Sequence, residues 1–244
     1  MADLRNYQTR VSPAGAQAGA VIDEGLRTYM LKVYNLMALG LAITGIAAFG
    51  VQAFAATNPD FAVLIYQSPL KWVIMLAPIA LVFYMSFRIN SMSVSAAQTT
   101  FWVYAALMGV SLSSIFLVYT DASIVKTFFV TAASFGALSL YGYTTKRSLS
   151  GMGSFLMMGL FGLIIASVVN IFLGSSALDF AISVIGVLIF AGLTAYDTQK
   201  IKEMYFEGDG AEMAGRKAIM GALTLYLDFI NLFLFMLRFL GNRE

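Results

Sequence analysis

The sequence predicts an all-α bundle of seven transmembrane helices, and three observations carry that prediction. Hydrophobic residues make up 59% of the 244 residues and charged residues 11%, against about 45–50% and 25% in a soluble domain. The mean hydropathy is +0.80. The 28 charges, 15 basic and 13 acidic, are too few to cover a soluble surface, and they divide the chain into seven long apolar runs. Those runs approach the roughly 20 residues that a helix needs to cross about 30 Å of hydrocarbon. They are too long and too evenly apolar for the alternating ten-residue strands of a membrane barrel.

Residues 1–25 are polar and rich in Gly, Ala and Ser, and read as a flexible tail ahead of a single seven-helix domain over 26–244. No short apolar core precedes Val33, so no secretory signal is expected and the first span is retained as a helix. That span has no charge from Val33 to Pro59; Asp60 and Lys71 then bracket a loop containing two prolines. The second runs from Trp72 to Phe87 and ends at Arg88, before a polar patch from Asn90 to Gln98. The third covers Phe101 to Tyr119, and four more fall at about 127–143, 155–173, 180–196 and 219–240. Asp228 interrupts the last, so the seventh helix is expected to be either central to the bundle or re-entrant. Glycines at 40, 45, 50, 159 and 162 are read as packing positions, because small residues let membrane helices approach closely.

The distribution of Lys and Arg sets the expected orientation. With the N-terminus inside, the inner segments carry Arg5, Arg10, Arg27, Lys32, Arg88, Lys146, Arg147, Lys200, Lys202, Arg216 and Lys217, and the outer ones only Lys71, Lys126, Arg238 and Arg243. A cytoplasmic N-terminus follows. The chain has neither Cys nor His. That removes disulfides, thiolate nucleophiles, thiolate zinc sites, imidazole-ligated haem and Ser–His catalysis. A net charge of +2 with no basic block excludes a nucleic-acid partner.

Two acids break apolar sequence, Asp197 in LIFAGLTAYDTQKIK and Asp228 in ALTLYLDFINLFLFMLRFLG. An ionised Asp at a helix centre costs roughly 2.5–3.5 kcal/mol on insertion scales, so an intramembrane carboxyl is a functional-site hypothesis by default. Both acids fall in the inner half of the bundle, Asp228 about 13 Å in from Ile219 at 1.5 Å per residue. Arg88 ends the second span on the same side. Thr224, Asp228 and Asn231 share a helix face, as do Thr194, Asp197 and Lys200. The two stripes would line a narrow water path, with Tyr196 and Tyr226 near the acids. Two carboxyls held close in low dielectric share a proton and titrate as a coupled pair. Proton loss would leave two repelling anions, or an anion free to pair with Arg88, and either event would bias the adjacent helices. Calcium takes oxygen ligands; two carboxylates are too few for a tight cage, but enough for weak, transient binding along a leak pathway.

The segments AYDTQKIK at 195–202 and LYLDFINLFLFMLRFLG at 225–241 resemble the Bax inhibitor-1 family of transmembrane proteins, particularly its bacterial members. The seven-span layout and length agree over the whole chain. The resemblance implies a protein of calcium leak and of stress or cell-death control. The aspartate pair described in the family as a pH-sensing gate carries over as Asp197 and Asp228. The family's latch arginine has Arg88 as its counterpart, and the ending at GNRE, without a long basic tail, favours a bacterial inner-membrane protein.

The reading that follows is a pH-sensitive calcium leak channel, with protons and calcium as its small partners, the bilayer as its surroundings and no cofactor. The alternative is a non-transporting regulator that binds a membrane protease or a stress factor. An enzyme is not expected. An intramembrane aspartyl protease would pair Tyr-Asp, as at Tyr196-Asp197, with Gly-x-Gly-Asp, but the second site reads Leu225-Tyr226-Leu227-Asp228. The seventh span also lacks the Lys that a retinal Schiff base would need.

Overall fold

The computed structural model describes residues 13–242. Of the expected tail over 1–25, residues 1–12 lie outside this range, and the first helix begins at Pro13. Seven long helices follow in order: α1 (Pro13–Thr57), α2 (Leu70–Arg88), α3 (Val94–Leu112), α4 (Asp121–Thr144), α5 (Ser150–Leu173), α6 (Ser176–Glu203) and α7 (Ala211–Leu240). A short helix, Pro59–Ala62, running into a π turn, Val63–Gln67, links α1 to α2. All seven contain a stretch long and apolar enough to cross a membrane, and no strand occurs among the described residues. The chain is an all-α membrane bundle.

The helices overrun the uncharged runs at their ends because local chemistry caps them there. Ser93, Thr120 and Ser175 accept hydrogen bonds from the backbone N–H groups of Ala96, Ser123 and Leu178, and so start α3, α4 and α6. A side-chain acceptor of this kind satisfies one of the donors that a helix N-terminus leaves unpaired. Gly174 ends α5 with φ +59°, a left-handed conformation that costs glycine little. That lets the chain reverse into α6 after only Gly174 and Ser175.

α7 is the axis of the bundle. It packs against α1, α3, α4 and α6, while α2 leans on α3 and α5 leans on α6. Ala218, Ile219, Ala222, Leu225, Tyr226, Leu232 and Leu237 of α7 are wholly inaccessible. By contrast, Ile165, Ile171 and Phe172 of α5 are exposed, as a bilayer-facing surface should be. The structure corrects the re-entrant alternative for the last span: α7 is one unbroken helix of 30 residues, about 45 Å long at 1.5 Å per residue. Its far end is tied to the start of α4, where Thr120 N–H donates to the Asn242 carbonyl at 3.2 Å and Asn242 N–H donates to Ser123 Oγ at 3.0 Å. Asp228 interrupts the hydrophobicity of the span but not its hydrogen-bonded ladder.

Close packing uses some of the glycines and not others. A Cβ at Gly40 would meet Phe101 Cζ at 2.8 Å, and one at Gly159 would meet Ile189 Cδ1 at 3.2 Å. Gly45, Gly50 and Gly162 face open space, so the packing expectation is corrected for these three. The tightest backbone approaches are elsewhere, at Gly109 against the Thr44 carbonyl and Gly142 against the Ala195 carbonyl.

Candidate functional site: an aspartate pair on a cleft between α5 and α7

α6 and α7 run antiparallel, and their ends are in register. Lys217 Nζ donates to the Met204 carbonyl at 3.0 Å and pairs with Asp209 at 2.5 Å. A Cβ on Gly221 would lie 3.0 Å from Ile201 Cγ2. Asp197 is therefore about a turn into the bundle on α6, and Asp228 about two turns in on α7. Side chains lean toward the N-terminus of their own helix, so in this antiparallel pair the shallower Asp197 leans inward and the deeper Asp228 leans back. The two carboxyls lie close enough to interact, on the wall of one cavity. Asp228 is only 5% exposed and Asp197 is half-buried.

Both acids line a cavity of about 540 Å³ walled by α5, α6 and α7. It exists because α5 packs on α6 without packing to a comparable extent on α7, which leaves a wedge between the outer helix and the axial one. Thr224 and Asn231 line the same cavity, as their shared helix face with Asp228 predicts. Thr194, Tyr196, Tyr226 and Lys200 do not line it. Thr194 is fully buried, its hydroxyl donating to the Phe190 carbonyl at 2.8 Å. Tyr196 packs its ring over Gly153 of α5. The Lys200 ammonium stands 5.9 Å from the Tyr196 ring centroid, and its charge reaches Asp197. Tyr226 points to the opposite side of α7, into α1 and α3.

Arg88 is exposed at the end of the peripheral α2 and makes no ion pair among the described residues. The turn that follows it packs on the first part of α7, where Arg216 donates to the Met92 carbonyl at 3.1 Å. Asp228 lies twelve residues farther along that helix, about 18 Å away by helical rise. The latch to the acid pair is not formed in this structure. Among the described residues no group of three or more acids, histidines or cysteines gathers as a metal site would require.

Several polar groups escaped the sequence reading. Ser167 of α5 lines the acid cavity and was legible as the one hydroxyl of the span over 155–173. Tyr34 Oη, Ser139 Oγ and Thr198 Oγ1 form a chain of hydrogen bonds at 2.6 and 2.9 Å that joins α1, α4 and α6. Arg238 pairs with Asp179 at the far end of the bundle. These pairings join residues 59 to 105 positions apart, and no spacing rule reports them.

Comparison with known proteins agrees with this architecture. A model of the family described as "Inhibitor of apoptosis-promoting Bax1" matches residues 26–244. An uncharacterised protein of Rickettsia prowazekii, RP147, is 53% identical over 91% of this chain and 92% of its own. The inner membrane protein YbhL of Escherichia coli K12 is 54% identical over 70% of this chain and 74% of its own. An uncharacterised protein of Caulobacter vibrioides is 48% identical across 100% of both. With a seven-helix membrane fold, and with the match running through both aspartate-bearing helices to the last residue, this chain belongs to the Bax inhibitor-1 family.

Proposed function

We propose that this chain is a pH-sensitive calcium leak of a bacterial inner membrane, gated by Asp197 and Asp228, with its N-terminus in the cytoplasm. The observation that supports this reading is that the two carboxyls share the wall of one cavity, with Asp228 almost wholly buried. Two carboxyls at this separation hold one proton between them far more cheaply than two negative charges. Loss of that proton drives α6 and α7 apart at a buried polar contact and opens the wedge already present between α5 and α7. Calcium then meets carboxylate, hydroxyl and amide oxygens, the ligand types it prefers. They are too few and too spread for retention, which suits passage rather than storage. The scheme moves calcium and a proton and converts no substrate, so it describes a conduit rather than an enzyme.

The inner-membrane placement is supported by the printed name of the Escherichia coli relative. The orientation is supported by the excess of Lys and Arg at the end of the bundle that carries Arg27, Arg88, Lys146 and Lys202. The test is calcium flux through purified protein in liposomes across a range of pH, for the wild type and Asp228→Asn. A pH-dependent flux that loses its pH dependence in the variant is expected. Absence of flux from folded wild-type protein at every pH would overturn the leak. It would favour the non-transporting regulator of a membrane protease or stress factor, with the acids as a structural pairing.

A further inference from the structure

The cavity beside the acid pair opens sideways. Its α5 wall includes Ile164, Val168 and Ile171, all exposed on the bilayer-facing surface of the bundle. A molecule could therefore reach the carboxyls from the hydrocarbon without crossing either aqueous face. A volume of about 540 Å³ lies within the range of about 300–1,000 Å³ found for small-molecule pockets.

Three polar side chains accompany the acids around this cavity. Ser167 Oγ donates its proton to the Leu163 carbonyl at 2.7 Å. Thr224 Oγ1 donates to the Met220 carbonyl at 3.0 Å, and Asn231 Nδ2 donates to the Leu227 carbonyl at 2.8 Å. Both hydroxyl protons and one Asn231 N–H are thus turned back on their own helices. That leaves hydroxyl lone pairs, the Asn231 amide oxygen and the carboxylate oxygens as acceptors, against one remaining Asn231 N–H. Asp228 Oδ2 is buried with no hydrogen-bond partner. A buried acceptor left unpaired costs about 1–3 kcal/mol, more when charged.

We infer that the cleft between α5 and α7 is a binding site for a lipophilic amine, a monocation with an ammonium head and an alkyl tail. The head brings three N–H donors to a wall whose polar atoms are mostly acceptors, and the acid pair holding one proton carries the single negative charge that matches it. The tail lies among Ile164, Val168, Ile171 and Phe235, where a bare inorganic cation would leave the apolar wall unused. The site shares its carboxyls with the proposed leak but does not require flux, so the two readings fail separately.

The test uses the full-length protein in phosphatidylcholine nanodiscs and a dodecylamine carrying a diazirine in its chain. The matching diazirine dodecanol is the control, and labelled peptides are read by mass spectrometry. The expected result is labelling of α5 and α7 about tenfold or more stronger for the amine than for the alcohol, the ratio for one charge-assisted hydrogen bond. In Asp228→Asn that preference disappears, while labelling of α2 is unchanged. A second variant, Asn231→Leu, which removes an acceptor and fills space at the same wall, lowers amine labelling as well. Equal labelling by amine and alcohol would reduce the cleft to a groove for acyl chains and overturn the inference, as would undiminished amine labelling in both variants. A protein that takes up the amine but passes no calcium retains this site and loses the leak; one that passes calcium without amine preference does the reverse.

Discussion

Tyr226 and Asp228, two residues apart on α7, anchor opposite sides of the bundle. Asp228 faces Asp197 and the cleft under α5. Tyr226, about 200° round the helix at 100° per residue, hydrogen-bonds Thr44 of α1 at 2.6 Å and sets its ring edge-on to Phe101 and Tyr104 of α3. One side of α7 is thus a rigid aromatic contact and the other a polar contact next to empty space. Tyr226→Phe keeps the rings and deletes one hydrogen bond, while Thr44 still has the Gly40 and Ala105 carbonyls at 2.9 Å. The expected loss is about 1 kcal/mol, seen as a lower midpoint of thermal unfolding in detergent, with the pH response of calcium flux retained.

The glycines separate into those that a side chain would jam and those that it would not. At Gly142 a Cβ runs into the backbone of Ala195 on α6, and backbone gives way less readily than a flexible side-chain end. Gly142→Ala should cost about 1–3 kcal/mol. Gly45→Ala points into open space and should be neutral or stabilise by about 0.5–1 kcal/mol through helix propensity. Thermal unfolding of the two variants in the same detergent distinguishes them, and equal midpoints would contradict the α4–α6 approach described here.

Arg88 lies exposed on a peripheral helix beside α3, without an ion pair among the described residues. Arg88→Gln is therefore expected to shift stability by no more than about 0.5 kcal/mol. A larger drop in the unfolding midpoint would mean that the guanidinium is engaged in the resting protein, and would place the latch at the acid pair after all.

Much of the fold was legible because the bilayer imposes one strong rule: a span must be long and apolar, and charges mark its ends. The seven runs, the depth of Asp228 and the shared face of Thr224, Asp228 and Asn231 all followed from that rule and from helical spacing. Lateral arrangement did not, because hydropathy is blind to which helix lies beside which. That is why the stripe Thr194, Asp197 and Lys200 divides in the structure into a buried hydroxyl, a cavity acid and an exposed cation. It is also why Tyr226 serves the far side of α7 although it lies next to Asp228 in sequence, and why Gly45, Gly50 and Gly162 carry no contact. Arg88 reads in sequence as a neighbour of the acids because it shares their end of the membrane, but α2 leans on α3 and not on α6 or α7.

The loop Met204–Gly210 between α6 and α7 is held by Lys217, which donates to the Met204 carbonyl and pairs with Asp209. The group is about a quarter exposed, so solvent screening reduces its worth to about 1 kcal/mol. Lys217→Met is expected to loosen this loop locally rather than unfold the bundle. Faster amide hydrogen exchange over 204–210, with exchange in α7 beyond Ala222 unchanged, would bear this out; uniform protection across the loop would not.

The acid pair makes the sharpest energetic prediction. Two groups in direct contact couple, and a double-mutant cycle measures the coupling. Asp228→Asn supplies N–H donors to a cavity wall that holds acceptors, and to the neighbouring carboxyl of Asp197. With one proton shared, the pair carries a single charge, which Asp197 keeps in this variant while the Asn amide donates to it, so the single variant should be about as stable as the wild type. Asp197→Asn should behave alike by the same argument. The double variant then departs from the sum, because each single change keeps one charged carboxylate facing its partner and only the double change removes that charge, leaving a coupling of about 0.5–3 kcal/mol. Unfolding midpoints of the four proteins at neutral pH give the cycle. Strict additivity would mean that the carboxyls do not act as a unit, and would remove the physical basis for a shared proton at this site.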